Sequence, residues 1–177
     1  MKTILQSLAK DFPVPIVIVQ HIAKGFLPGL AAWLDDSSEL SVKIAQNGEE
    51  VLPGHVYLAP DGFELGVSRP RLIHLSGQRT AHSSCPSVSY LFRSAAMNFG
   101  WQSVGILLSG MGRDGADELL LMKQKGAVTI AQDKESCVVY GMPGAAVKIH
   151  GATYVLAPDK IAPILQRVVS VNLHRRS

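Results

Sequence analysis

The sequence predicts an α/β fold: three layers, doubly wound around a mostly parallel sheet, with a small antiparallel excursion over about residues 40–75. Three observations carry this reading. Pro15 to His21 is a nearly continuous β-branched run, the pattern of a strand buried on both faces and hence of a parallel sheet. From Val104 to Gly126 an apolar run, a turn holding Gly110, Gly112 and Gly115, and an amphipathic stretch follow one another as strand, tight turn and helix. Strand-like and helix-like segments also alternate along the chain, as crossover-connected parallel strands require.

Taken in order, Met1 to Lys10 has Ile4, Leu5 and Leu8 at helical spacing, and Asp11-Phe12-Pro13 ends it. The 15–21 strand delivers His21 to its carboxyl end. Phe26 to Leu34 reads as a helix stopped by Asp35-Asp36-Ser37-Ser38. Leu40 to Ile44 alternates as a strand, and Asn47-Gly48 and Pro53-Gly54 are turn signals around a further short strand, His55 to Pro60. Glu64 to Ser68 and Leu72 to Leu75 complete the expected antiparallel excursion. Gly77 to Ser84 is polar and irregular. Pro86 is the first position of a helix carrying Val88, Leu91, Phe92, Ala95 and Ala96 on one face, with Gly100 as its cap. After the 104–126 unit come a strand at Ala127 to Ala131, a short helix at Ala145 to Ile149, a strand at Tyr154 to Leu156 and a closing helix at Pro158 to Val169.

The bulk numbers narrow the classes. A chain of 177 residues predicts one domain, 1–177, long enough to bury a core. With 47% hydrophobic and 18% charged residues it is globular, not disordered. The net charge of +3 is small, and only His174-Arg175-Arg176 clusters, so no nucleic-acid footprint is expected. The apolar runs fall short of the ~18 residues a membrane helix needs, and no secretory signal is visible. A cytoplasmic protein without membrane insertion is the expectation. Cys85 and Cys137 lack C-x-x-C spacing and are expected to be free thiols.

The glycine turn admits two functions. Gly110-Met111-Gly112-Arg113-Asp114-Gly115 fits G-x-G-x-x-G after a strand, and Asp133 ends the next strand about 20 residues on, where a ribose-binding acid belongs. That is a dinucleotide cradle, though it leaves His21 without a role. The other reading is hydrolytic. His21 and Asp114 both fall at carboxyl ends of expected parallel strands, and a His–Asp pair is two thirds of a nucleophilic triad. Backbone N–H groups of a glycine turn can hold an oxyanion. No G-x-S-x-G elbow accompanies them. Ser7 lies in the first helix, Ser83, Ser84 and Ser87 lie in or near a loop, and the surroundings of Ser109 point to structural hydrogen bonding. His55 and His74 sit in short strands as surface residues, and His82 lies in a polar loop. No metal-ligand spacing occurs. Asp117 and Glu118 open a helix, where carboxylates favour its dipole.

Several stretches together resemble one family: P-I-V-I-V-Q-H (15–21) with G-F (25–26), N-G-E-E-V-L-P-G-H-V-Y-L-A-P (47–60), P-S-V (86–88) with L-F (91–92), S-V-G-I-L-L-S-G-M-G-R-D-G-A (103–116), G-A-V-T-I-A-Q-D (126–133) and S-C-V-V-Y-G-M-P (136–143). In order and without large gaps, they look like the catalytic domain of the CheB-type chemotaxis protein-glutamate methylesterases. The resemblance implies hydrolysis of glutamate methyl esters on chemoreceptors, with receptor glutamine deamidation in many members, by a Ser–His–Asp triad. The histidine maps to His21 and the aspartate to Asp114. Met111 contributes to the oxyanion site, beside Gly110 and Gly112. The implied partner is a methylated chemoreceptor, and a receiver domain or other chemotaxis proteins are the regulators. No cofactor is implied.

The chain also departs from the family. The family's serine lies in a Gly-Ala-Ser-x-Gly-Gly turn ending a strand upstream of the histidine, whereas only 20 residues precede His21. The expectation is that the serine and its strand lie outside these residues, leaving a sheet position empty. An arginine and an aspartate that usually flank Pro-Ser-Val are replaced by Cys85 and Ser89, which alters the expected contacts to the receptor. Three alternatives therefore stand: a methylesterase whose serine lies upstream, a catalytically dead binding module in chemosensory signalling, and a dinucleotide-binding protein.

Overall fold

The computed structural model describes residues 1–77 and 85–174, which fall into two units, Lys2–Leu91 and Met1 with Phe92–Ser177. The expected α/β class holds, with parallel sheets and one small antiparallel pair.

In the first unit, helix α1 (Lys2–Gln6) leads to strand β1 (Ile16–Ile18), helix α2 (Leu27–Ser37), and strands β2 (Ser41–Ile44) and β3 (His55–Leu58). The sheet order is β1-β3-β2, parallel throughout, with Ile16 beside Val56 and Ser41 beside His55. Strands β4 (Glu64–Ser68) and β5 (Leu72–Ser76) form an antiparallel pair, Glu64 opposite Ser76. The core is built by Leu34, Leu40, Val56, Tyr57, Leu58, Leu65 and Ile73, each at most 2% exposed.

Several boundaries differ from the sequence reading. The antiparallel part is confined to 64–76, because β2 and β3 join β1 in parallel. Their short alternating patterns carry no orientation signal. Strand β1 is three residues long and half-buried throughout, not a long strand buried on both faces. Among the described residues it pairs with β3 alone and so stands at the edge of its sheet, without a second strand beside it. Helix α1 stops at Gln6, and α2 continues through Asp35 and Asp36 to Ser37. Asp35 turns back instead of breaking the helix: its Oδ1 accepts a hydrogen bond from the Val42 N–H at 2.7 Å.

Helix α3 (Val88–Asn98) carries the chain from the first unit into the second. It begins two residues after Pro86, which is not its first helical residue; the Cys85–Pro86 peptide is cis. Ser87 is the true cap, its Oγ accepting from the Tyr90 N–H at 3.3 Å. Gly100 opens a separate 3-10 turn, Gly100–Gln102.

The second unit continues with strand β6 (Val104–Leu107), helix α4 (Ala116–Gln124), strand β7 (Val128–Gln132), helix α5 (Met142–Lys148), strand β8 (Tyr154–Leu156) and helix α6 (Pro158–His174). The sheet runs β6-β7-β8, all parallel. Helix α4 packs on β6 and β7, and α5 and α6 both pack on β7. Leu107, Leu119, Met122, Ile130, Ala146 and Ile161 fill the space between them. Gly105 is needed there: a Cβ would meet Leu119 and Met122 at 2.8 Å.

Candidate active site

The turn after β6 lies at the carboxyl edge of a parallel sheet, where α/β folds gather functional groups. It contains four of the five residues expected from sequence: Gly110, Met111, Gly112 and Asp114. Met111 is 85% exposed, an unusual position for a large apolar side chain, while Asp114 is half-buried. Gly112 and Gly115 hold φ values of +85° and +79°, which only glycine adopts without strain. Gly115 then starts α4, where Arg113 and Asp117 pair across one turn at 2.8 Å.

A second segment straps this turn. From the end of β7, Gln132 to Met142 folds back over it. The Gly110 N–H donates to the Val139 carbonyl at 3.1 Å, and the Gly110 carbonyl accepts from the N–H groups of Gly141 and Met142 at 3.1 and 2.9 Å. The Ser109 Oγ accepts from the Val139 N–H at 3.0 Å. Gln132, only 5% exposed, accepts from the Ser109 N–H at 2.8 Å and donates to the Ser136 carbonyl at 2.9 Å. Asp133 accepts from the Ser136 N–H at 3.0 Å and from its hydroxyl. Burial raises the Cys137 thiol above its ordinary pKa, more than a hydrogen bond with Ser109 lowers it. Burial likewise raises Tyr140.

These contacts remove the dinucleotide reading. A phosphate cradle needs the leading N–H groups of the turn directed at the ligand, yet those of Ser109 and Gly110 are spent on Gln132 and Val139. Asp133 is engaged with Ser136. For the same reason Gly110 holds the turn in place and does not offer its own N–H to an oxyanion.

His21, the fifth residue, belongs to the other unit. It lies three residues past β1, exposed, in the loop leading to α2. That loop is tethered by the Gly25 N–H, which donates to Asp61 Oδ2 at 3.0 Å. The structure thus brings Gly110, Met111, Gly112 and Asp114 into one turn and sets His21 on a tethered loop in the first unit. Ser109 is structural, as its sequence surroundings suggested, and Asp117 and Glu118 pair with Arg113 and Arg93. His74 is exposed and His55 half-buried with Nδ1 2.8 Å from the Pro53 carbonyl. His82, Ser83 and Ser84 lie outside the described residues. Neither Cys85 nor Cys137 is in a disulfide. Among the described residues no helix is long and apolar enough to cross a membrane, and no cluster of three His, Cys, Asp or Glu could hold a metal.

Sequence reasoning missed Gln132 and Asp61. Gln132 had a signal: a polar residue closing an apolar parallel strand, hence a buried polar group in need of partners. Asp61 carried only the Asp-Gly turn signature.

A parallel α/β unit with a strapped glycine turn at its strand ends defines a class of α/β proteins with strand-end sites. The family is narrower. The CheB methylesterase family matches residues 1–165, and the chain belongs to that family. It is 53% identical over 170 residues to a protein-glutamate methylesterase/protein-glutamine glutaminase of Nitrosospira multiformis, covering 96% of this chain and 48% of that protein. It is 49% identical over 168 residues to one from Syntrophus aciditrophicus, again covering 95% of this chain and 48% of that protein. The chain thus spans about half the length of these curated relatives. The crystal structure of the Thermotoga maritima CheB methylesterase catalytic domain superposes with a TM-score of 0.90 at 40% identity, covering 95% of this chain and 90% of that one.

Proposed function

We propose that residues 1–177 act as one catalytic domain that hydrolyses glutamate methyl esters, and deamidates glutamines, on chemoreceptors in the cytoplasm. The observation that carries this reading is the strapped turn, which holds Asp114 and the exposed Met111 at a strand end within a chain of the methylesterase family. His21 serves as general base towards a serine and then as general acid towards the leaving methoxide. Asp114 fixes its tautomer and stabilises the imidazolium. The serine attacks the ester carbonyl and forms an acyl-enzyme, which water then hydrolyses. Amide groups at Met111 and Gly112 hold the oxyanion. The serine is supplied by a turn of the Ala-Ser-x-Gly-Gly kind, and no cofactor takes part. A receiver domain or another chemotaxis protein regulates access.

Methanol release from a methyl-labelled receptor tests this reading, with the chain produced both as it stands and with its in-frame upstream sequence. Release that falls by about 10³-fold or more in His21→Ala and in Asp114→Asn is expected. Release indifferent to both changes overturns the assignment. If neither form releases methanol and the upstream reading frame encodes no such serine turn, the chain is a binding module of the family.

A further inference from the structure

We infer that Gln132 is a positioning residue, a latch that holds the Ser109–Gly112 turn in the shape the reaction needs. This rests on the methylesterase reading, since it assigns the turn's donors to an oxyanion. Gln132 ends β7 and its side chain is buried. Its amide works in both directions. The oxygen accepts from the Ser109 N–H at 2.8 Å, and the nitrogen donates to the Ser136 carbonyl at 2.9 Å and the Ser136 Oγ at 3.1 Å. Only an amide does this. A carboxylate has no donor, and an apolar side chain has neither group.

The latch closes a ring. One arm runs from Gln132 to Ser109 and on to Gly110. The other runs from Gln132 to Ser136 and along the strap to Val139, Gly141 and Met142, which return to Ser109 and Gly110 through their own hydrogen bonds. The strap therefore reaches the turn from the Gly110 side, while Gln132 fixes where it starts. Met111 and Gly112 follow directly: Met111 is exposed, while the strap backs Gly112, whose N and O atoms a Cβ at Gly141 would meet at 2.8 and 3.0 Å. Their amide directions are set by Gly110 and by the strap at Gly141. Oxyanion donors act through pre-organisation, so a looser Gly110 costs rate and not substrate binding.

Amide hydrogen exchange on the full chain tests the latch. Gln132→Leu is expected to speed exchange over Ser109–Gly112 about 10-fold or more, because it loses the bond to Ser109 and both bonds to Ser136. The amides of β6, β7 and α4 should stay within about 2-fold in the same variant. Gln132→Glu, nearly isosteric, keeps an acceptor for Ser109 but loses both donors. It should leave Ser109 protected and loosen Ser136–Val139, and it serves if the leucine variant does not fold. Unchanged exchange at these sites, or equal loosening of the whole unit, overturns the latch. In the methylesterase assay with the upstream sequence present, Gln132→Leu should lower kcat roughly 10–100-fold with KM and the pH profile unmoved. An unchanged kcat overturns the positioning role. A wild-type enzyme that releases no methanol removes the methylesterase reading instead, and exchange alone then decides whether the latch exists.

Discussion

Gly141 approaches Gly110 so closely that a Cβ at position 141 would lie 2.6 Å from the Gly110 carbonyl oxygen, and 2.8 and 3.0 Å from the Gly112 N and O atoms. All three are backbone atoms, which cannot swing aside as a side-chain end can. The Gly141 N–H donates to that same Gly110 oxygen at 3.1 Å. Gly141→Ala must therefore push the strap off the turn or break this hydrogen bond. We expect a loss of about 1–3 kcal/mol, the usual range for forced overpacking. Calorimetry should show Tm falling by roughly 2–4 °C per kcal/mol. A Tm within 1 °C of wild type would show that the contact relaxes freely.

Arg93 and Glu118 meet at 2.8 Å, the guanidinium largely in solvent and the carboxylate 8% exposed. The asymmetry decides which deletion hurts. Arg93→Ala strands a buried carboxylate, whereas Glu118→Gln removes the charge that needed a partner. Because Arg93 is well solvated, the expected cost of Arg93→Ala is only about 1 kcal/mol. The double variant should recover part of it. A double-mutant cycle from urea unfolding measures this directly, and a coupling energy of zero would mean water solvates Glu118 equally well.

These partners show what the sequence made legible. The alternation of strands and helices, the 104–126 unit and the turn with Asp114 were readable because period and glycine placement are local. So was the family, whose motifs run through the whole chain. Strand orientation in the middle segment was not, since four-residue strands such as Ser41–Ile44 and His55–Leu58 look alike in either sense. The real length of β1 was also hidden. Val19 is β-branched like its neighbours, and only pairing with β3 decides that the strand stops at Ile18. The strap was invisible as well: Gln132 and Ser109 are 23 residues apart, and nothing local joins them.

Ser87 does two jobs with one hydroxyl. It accepts from the Tyr90 N–H at 3.3 Å as the cap of α3, and it donates at 2.9 Å to Glu64, whose carboxylate is 5% exposed. The Ser87 N–H also reaches that carboxylate, at 2.8 Å. Ser87→Ala keeps the N–H contact but loses both hydroxyl bonds. A lost cap and a thinned shell around a buried charge together predict a cost of about 1–3 kcal/mol. Urea unfolding should show a lower midpoint at unchanged m-value. Ser87→Thr, which retains the hydroxyl, should recover most of the loss, and equal damage from both variants would exclude the hydroxyl as the cause.

Cys137 should be a slow thiol. Alkylation proceeds through the thiolate, and burial raises the Cys137 pKa, helped by the neighbouring charge of Asp133, against a weaker lowering by the Ser109 hydrogen bond. The folded protein thus holds the thiol proton more tightly than the unfolded chain, where cysteine titrates near about 8.5. The sign for stability follows: this contribution is fully present below the unfolded pKa and is lost as pH rises through the folded one. Site-resolved mass spectrometry of iodoacetamide labelling should place the native inflection above that of urea-unfolded protein. Asp133→Asn should bring the native inflection down by removing the repulsion, though not to the unfolded value, because burial is the larger cause. A native inflection at or below the unfolded one would mean that Cys137 is solvated in the folded protein, and that the strap does not seat as closely as its hydrogen bonds to Gly110 require.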